Sequence, residues 1–169
     1  ENLPEGFEEY GCIPEYCDEP MEVKDIFAKS WLVIGDSKEL ANKGDYFVTD
    51  VPPLKASLIV TRGEDDNVRV FRNICRHRGD KLIHDASGCA KFFTCKFHAW
   101  NYSNTGKLVG VTDQGQFKDL SKENLGLIGI HSEVWEDIVF VNFQEQPEQT
   151  LKEWLGDIYN QYTGFSANR

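Results

Sequence analysis

Two short segments constrain this chain more than anything else in it: Cys75-Arg76-His77 and Cys95-Lys96-Phe97-His98. Seventeen residues separate them. Each segment offers one thiol and one imidazole. Four metal-binding side chains in two such clusters serve a purpose only if the fold brings two loops together at their tips. Thiolates are soft ligands and neutral imidazoles suit iron, copper, nickel and zinc. A Cys2His2 zinc site would use the same atoms, but it usually draws both Cys from one segment and both His from the other. Here each segment carries one of each.

That mixed pattern suits a Rieske-type [2Fe–2S] cluster, in which two Cys hold one iron and two His the other. Cys75 and Cys95 are then expected on the first iron, and His77 and His98 on the second. Neutral imidazoles in place of two thiolates take negative charge away from the second iron. That iron becomes easier to reduce, and the potential falls within roughly −150 to +300 mV. Each imidazole also keeps a second ring nitrogen that can hydrogen-bond outward or lose its proton. The chain is therefore expected to move single electrons.

The longer segments Cys75-Arg76-His77-Arg78-Gly79 and Cys95-Lys96-Phe97-His98-Ala99-Trp100-Asn101-Tyr102 resemble the Rieske domain of ring-hydroxylating, non-haem iron oxygenases. Asp25-Ile26-Phe27 followed by Ser30-Trp31-Leu32-Val33-Ile34-Gly35 is similar to that family's leading helix and first strand. Gly44-Asp45-Tyr46-Phe47 and Val70-Phe71-Arg72-Asn73-Ile74 resemble the strands before the first loop. Gly106-Lys107-Leu108-Val109-Gly110 resembles the hairpin after the second. The likeness runs over residues 20–160. It implies a mainly β, antiparallel Rieske iron–sulfur fold: a β sandwich with a cluster-binding subdomain and short helices at both ends. It also implies a function, the relay of NAD(P)H-derived electrons from a ferredoxin or reductase to a mononuclear Fe(II) in a catalytic domain. In such relatives the transfer crosses a subunit boundary in a trimer. They oxidise aromatic hydrocarbons, aromatic acids or quaternary amines. His98 is expected on the exit side, with Arg76, Arg78, Lys96, Phe97 and Trp100 around the cluster or on a docking surface.

Departures from the family pattern carry information. Respiratory Rieske proteins add a disulfide whose cysteines would fall at Asp80 and Phe97, so the resemblance points to the oxygenase branch and to the low end of the potential window. The oxygenase pattern Pro-Tyr-His-Gly is replaced by Lys96-Phe97-His98-Ala99. Phe97 has no phenolic hydroxyl to offer a hydrogen bond near the cluster. Ala99 is strained if its position needs a positive φ.

The remaining organisation reads as strand-rich. Residues 1–20 carry Pro4, Pro14, Pro20 and many carboxylates, which predicts an extended acidic arm. A short helix is predicted over 21–29. β-Branched and aromatic residues predict strands at 31–36, 45–51, 57–62, 68–74, 92–94, 127–131 and 138–143. Polar Gly63-Glu64-Asp65-Asp66-Asn67 predicts a hairpin turn. The predicted domain spans 21–146, with its cluster-binding insert at 75–115. A C-terminal helix over 148–159 is predicted from Leu151, Trp154, Leu155 and Ile158 at helical spacing, read as a packing stripe. Residues 147–169 would lead towards a catalytic domain that this chain does not contain.

Composition narrows the class. At 169 residues and 40% hydrophobic, the chain suits one globular domain. No run of about 18 apolar residues is present, so no membrane span is expected. The acidic start predicts no signal peptide. The five Cys suggest reduced thiols in a cytoplasmic protein, although Cys12 and Cys17 are close enough in sequence to pair. A net charge of −10 argues against nucleic acid. Between Arg72 and His98, however, six basic side chains face two acidic ones, a rim suited to an acidic electron donor. Of the four His, only His84 and His131 remain after the cluster takes its pair, so no second, mononuclear iron site is expected here. The chain is thus read as the Rieske domain of an oxygenase, not expected to turn over alone. The missing initiating Met suits excision from a longer chain, and processing would look the same. Alternatives are a free-standing Rieske ferredoxin-like carrier and a zinc-stabilised Cys2His2 binding module.

Overall fold

The structure is a computed structural model that describes residues 26–112 and 121–165. Its architecture is mainly antiparallel β, as expected. In chain order the strands are β1 (Leu32–Asp36), β2 (Asp45–Val51), β3 (Ala56–Arg62), β4 (Val68–Arg72), β5 (Ser87–Cys89), β6 (Phe92–Thr94), β7 (Asn101–Ser103), β8 (Leu108–Gly110), β9 (Gly129–Trp135) and β10 (Ile138–Asn142). A seven-stranded sheet runs β1-β10-β9-β4-β3-β2-β5, and a three-stranded sheet runs β6-β7-β8.

The larger sheet is buried on both faces near its middle. Strand β3 reads Ala-Ser-Leu-Ile-Val-Thr-Arg with almost no polar alternation, the signature of a strand covered on both sides. Leu58 and Val60 point to one face, where they pack with Phe47, Val70, Val139 and Val141. Ile59 points to the other and joins Phe71, Tyr46, Phe93, Trp100, Tyr102 and the thiols of Cys75 and Cys95. Each buried aliphatic side chain stabilises by about 1.5–3 kcal/mol. The second core lies under both candidate loops, so the loops are anchored to the sheet by the same burial that stabilises it.

Several predicted boundaries shift, each for a physical reason. β4 stops at Arg72 rather than at 74, because Asn73 turns inward. The predicted strand 127–131 begins at Gly129 and runs on to Trp135, paired residue by residue with β10 from Trp135↔Ile138 to His131↔Asn142. A two-residue turn of Glu136 and Asp137, both at positive φ, closes this hairpin without the usual glycine. The single predicted helix 148–159 is two short ones, α1 (Leu151–Leu155) and α2 (Asp157–Tyr162), broken at Gly156 (φ 56, ψ −130). Thr150 and Glu153 form a capping box that starts α1. The packing stripe holds only in part: Leu151 is buried against Trp31 and Phe140, and Leu155 packs beside it, but Trp154 and Ile158 are exposed. The predicted helix 21–29 lies mostly outside the described residues, as do the acidic arm and Cys12 and Cys17. Its described tail is a turn in which Ser30 N–H donates to the Ile26 carbonyl (2.9 Å).

Asn73 ties the first loop to this frame. Its Nδ2 donates to the Ile83 carbonyl (2.8 Å), and its Oδ1 accepts from the Ile83 N–H (2.8 Å). Both hydrogen bonds are buried. Asn73→Ala should therefore cost about 3 kcal/mol, from two buried groups left unpaired. Urea denaturation monitored by tryptophan fluorescence measures this loss; a change below about 1 kcal/mol would mean that the clamp does not hold the loop.

Candidate metal centre

The two loops are built on one plan. The first joins β4 to β5 and the second joins β6 to β7. Cys75 N–H donates to the Asp80 carbonyl (2.8 Å), and Gly79 N–H donates back to the Cys75 carbonyl (3.0 Å). In the second loop, Cys95 N–H donates to the Trp100 carbonyl (2.9 Å), and Ala99 N–H to the Cys95 carbonyl (2.9 Å). In both loops the residue four after the Cys has positive φ: Gly79 at 78° and Ala99 at 53°. The turn thus demands the left-handed region at that position, and the condition set for strain at Ala99 is met.

The thiols lie side by side in the core. Cys75 is 3% exposed and Cys95 2%. Burial pushes the Cys95 thiol up, and neighbouring Cys75 adds to it, while the backbone N–H groups of Phe97 and His98 pull towards the thiolate. Those two N–H groups come from the loop itself, so the turn both places the sulfur and prepares it for charge. Asp80 Oδ2 stands 3.9 Å from Cys95 Sγ.

Tyr102 stands within the candidate site, and sequence reasoning passed it over. Its hydroxyl is fully buried, accepts a hydrogen bond from Arg76 N–H (3.0 Å) and lies 3.4 Å from Cys75 Sγ. Either the phenol or the thiol can donate across that contact while the sulfur is protonated; to a thiolate only the phenol can donate. Burial and the adjacent Cys75 push the phenol well above its usual range, so it stays protonated and keeps that proton to offer. The signal was in the sequence: Trp100 and Tyr102 alternate with Asn101, a spacing that turns both to one side of an extended segment, and both are buried.

The imidazoles also lie side by side, with ring centroids 4.6 Å apart and planes at 79°. Trp100 is buried and stacks flat on His77 (4.8 Å, 13°). It supports the site from inside rather than forming a docking surface. Phe97 lies against His98 at 4.0 Å and is 57% exposed, and the Arg78 guanidinium sits 5.6 Å from the Phe97 ring. Burial, then the neighbouring His98 and Arg78, lowers the His77 pKa and favours the neutral, metal-binding imidazole. His98 Nδ1 is buried and has no hydrogen-bond partner among the described residues. An orphaned buried nitrogen is costly unless something binds it, and a metal ion would.

Sulfur beside sulfur and imidazole beside imidazole is the arrangement a two-iron centre needs. A zinc site needs all four donors around one ion. The grouping by donor type fits a two-iron cluster, with two Cys for one iron and two His for the other. Around the tip, Arg76, Arg78, Lys81 and Lys96 are exposed, and none makes an ion pair with a described residue. Lys91 stands 4.0 Å from Glu64, and Arg72 covers the Phe143 ring. His131 contacts the Glu145 carbonyl on β9, outside both loops, and His84 is exposed. Cys89 is a free, exposed thiol. No described helix is long and apolar enough to cross a membrane.

Comparison with known proteins agrees with this geometry. A family model described as the Rieske [2Fe-2S] domain matches residues 30–124. The benzene 1,2-dioxygenase subunit alpha of Pseudomonas putida is 34% identical over 146 residues, which cover 84% of this chain and 32% of that protein. The carnitine monooxygenase oxygenase subunit of Escherichia coli (strain K12) is 31% identical over 149 residues, covering 83% of this chain and 39% of that one. Among solved structures, a naphthalene 1,2-dioxygenase with indole bound superposes with a TM-score of 0.75 at 31% identity (83% of this chain, 31% of that chain). The apo form of a quaternary ammonium Rieske monooxygenase superposes at 0.78 with 30% identity (84% and 40%). The chain thus spans about a third of the length of the curated relatives it matches.

Ala99 lends itself to a direct test. An alanine in the left-handed region costs about 1–2 kcal/mol, partly offset by the greater unfolded-state entropy of glycine. Ala99→Gly should stabilise the chain by about 0.5–1 kcal/mol in urea denaturation, whereas Gly79→Ala should destabilise it. A loss of stability in Ala99→Gly would show that the loop carries no such strain.

Proposed function

Because this chain belongs to the Rieske [2Fe–2S] domain family, we propose that Cys75 and Cys95 hold one iron of the cluster and His77 and His98 the other. The observation that carries this reading is the pairing of thiol with thiol and imidazole with imidazole at the tips of two matching turns. When bound, the cluster supplies reversible uptake of a single electron. The chain's own residues set the conditions for that chemistry. Tyr102 donates to the Cys75 sulfur and draws charge from it. The Phe97 and His98 amides do the same at Cys95. Trp100 keeps water from one face of His77, and Phe97 covers His98.

In this reading the chain is the electron-transferring domain of an oxygenase alpha subunit. A ferredoxin or reductase supplies NAD(P)H-derived electrons, and a mononuclear iron in a catalytic domain accepts them. The exposed Arg76, Arg78, Lys81 and Lys96 favour an acidic donor surface with His98 beneath it. The domain boundaries that accompany this reading are an arm at 1–20, the Rieske domain at 21–146 with its cluster insert at 75–115, and a connection at 147–169. A cytoplasmic location and a homotrimeric assembly belong to the same proposal.

Iron and acid-labile sulfide analysis, with an EPR spectrum after dithionite reduction, tests the assignment. We expect two irons and two sulfides per chain, and loss or strong perturbation of both in His98→Ala. Full cluster content in His98→Ala would sink the ligand assignment, and one zinc without sulfide would sink the electron-transfer reading. Tyr102→Phe should keep the cluster but lower its potential by roughly 20–60 mV. That range follows from a hydrogen bond of about 0.5–1.5 kcal/mol at 59 mV per tenfold change in a one-electron couple. An unchanged potential would mean that the hydroxyl does not act on Cys75.

A further inference from the structure

The two sulfurs of the candidate centre meet different partners. Cys75 Sγ faces the Tyr102 hydroxyl at 3.4 Å. Cys95 Sγ faces a carboxylate, with Asp80 Oδ2 at 3.9 Å, while the Phe97 and His98 amides aim at the same sulfur. Asp80 belongs to the first loop and Cys95 to the second, so this contact joins the two loops.

Three observations set Asp80 apart from an ordinary surface charge. Its backbone is fixed, because the Asp80 carbonyl accepts from the Cys75 N–H (2.8 Å) within the turn that buries Cys75. The contact is partly withdrawn from solvent: Asp80 is half-buried and Cys95 is 2% exposed. No Lys or Arg among the described residues pairs with the carboxylate, and its only polar partner among them is Cys95 Sγ. The basic neighbours Arg76, Arg78 and Lys81 are exposed, where salt and water screen their charge.

A thiol can donate its proton to this carboxylate, but a metal-bound thiolate has none to give. Once Cys95 binds metal, the contact sets one negative charge against another, and close charges away from water interact strongly. An added electron is then less favourable than it would be beside a neutral side chain. The Phe97 and His98 amides act in the opposite sense, because hydrogen bonds to the sulfur stabilise negative charge. We propose that Asp80 acts through Cys95 as a fixed negative charge that holds down the reduction potential of the centre. The inference rests on reading Cys75, His77, Cys95 and His98 as the ligands of a [2Fe–2S] cluster.

Redox titration of the cluster-loaded chain, followed by EPR at one fixed pH, tests it. Asp80→Asn keeps the size of the side chain and removes its charge. We expect its reduction equilibrium to move about tenfold towards the reduced form, a rise of about 59 mV for a one-electron couple, with iron and sulfide content unchanged. Asp80→Glu, which keeps the charge, should stay within about threefold of the unaltered chain. Asp85→Asn, which removes an exposed carboxylate of the same loop, should move the equilibrium less than about twofold. The Asp80→Asn shift should also persist in high salt, because a partly buried pair is screened far less than an exposed one. An unmoved potential in Asp80→Asn overturns the inference. So does an equal shift in Asp85→Asn, which would make the effect one of net charge, or a shift that high salt abolishes. Asp80→Ser provides a second neutral variant, and loss of the cluster from both would give Asp80 a structural role and overturn the inference. Iron and sulfide are measured in the same samples. An unaltered chain without a cluster fails the functional reading and this inference with it, whereas a loaded Asp80→Asn chain with an unmoved potential fails this inference alone.

Discussion

Everything at the tip depends on one local constraint: a turn in which a cysteine amide reaches the carbonyl five residues on, while the residue between them adopts a left-handed backbone. The turn occurs twice, at Cys75 and at Cys95, with nearly the same hydrogen-bond lengths. It buries the sulfur in both loops, and in the second it also turns the Phe97 and His98 amides towards it, while the imidazoles come to rest half-buried beside each other. The histidine is two residues after the cysteine in the first loop and three in the second, yet both imidazoles arrive side by side. The repeated turn therefore sorts the four donors into a sulfur pair and a nitrogen pair. The cost is visible at Ala99, which occupies a conformation better suited to glycine.

The sheet makes that turn stable. Strand β3 is buried on both faces, and the core on the loop side contains both cysteines, Trp100 and Tyr102. A low-dielectric surrounding strengthens each hydrogen bond aimed at sulfur and penalises any that is lost. Tyr102 illustrates this. Its hydroxyl is fully buried and is shared between a backbone amide and a thiol, so its position is determined from two sides. Asn73 plays the corresponding part for the backbone of the first loop.

The tip is basic and carries an exposed aromatic, Phe97, against the His98 imidazole. Exposed charges of this kind are screened by salt and contribute more to the rate of encounter than to tight binding. A cavity beside α2 is mixed instead: Ile158, Tyr162 and Phe165 share its lining with Asp36, Lys38, Glu136 and Asp137.

By itself the sequence determined the donor set. Cys75, His77, Cys95 and His98 are legible from residue type and spacing alone, because few other arrangements mix one thiol and one imidazole in each of two short segments. It also determined the strands whose burial is written in consecutive apolar residues, such as β2 and β3, and it marked Ala99 as the place where a turn would be strained. Tertiary structure decided what depends on contacts between distant segments. Tyr102 meets Cys75 only because β7 passes beneath the first loop, 27 residues away in sequence. Trp100 could have been surface or core, and stacking on His77 put it in the core. β9 runs beyond its apolar stretch because β10 supplies hydrogen-bond partners, and the C-terminal helix breaks at Gly156 although its apolar spacing continues. Periodicity reports which side chains share a face; it does not report whether anything covers that face, and at Trp154 and Ile158 the described structure leaves it open.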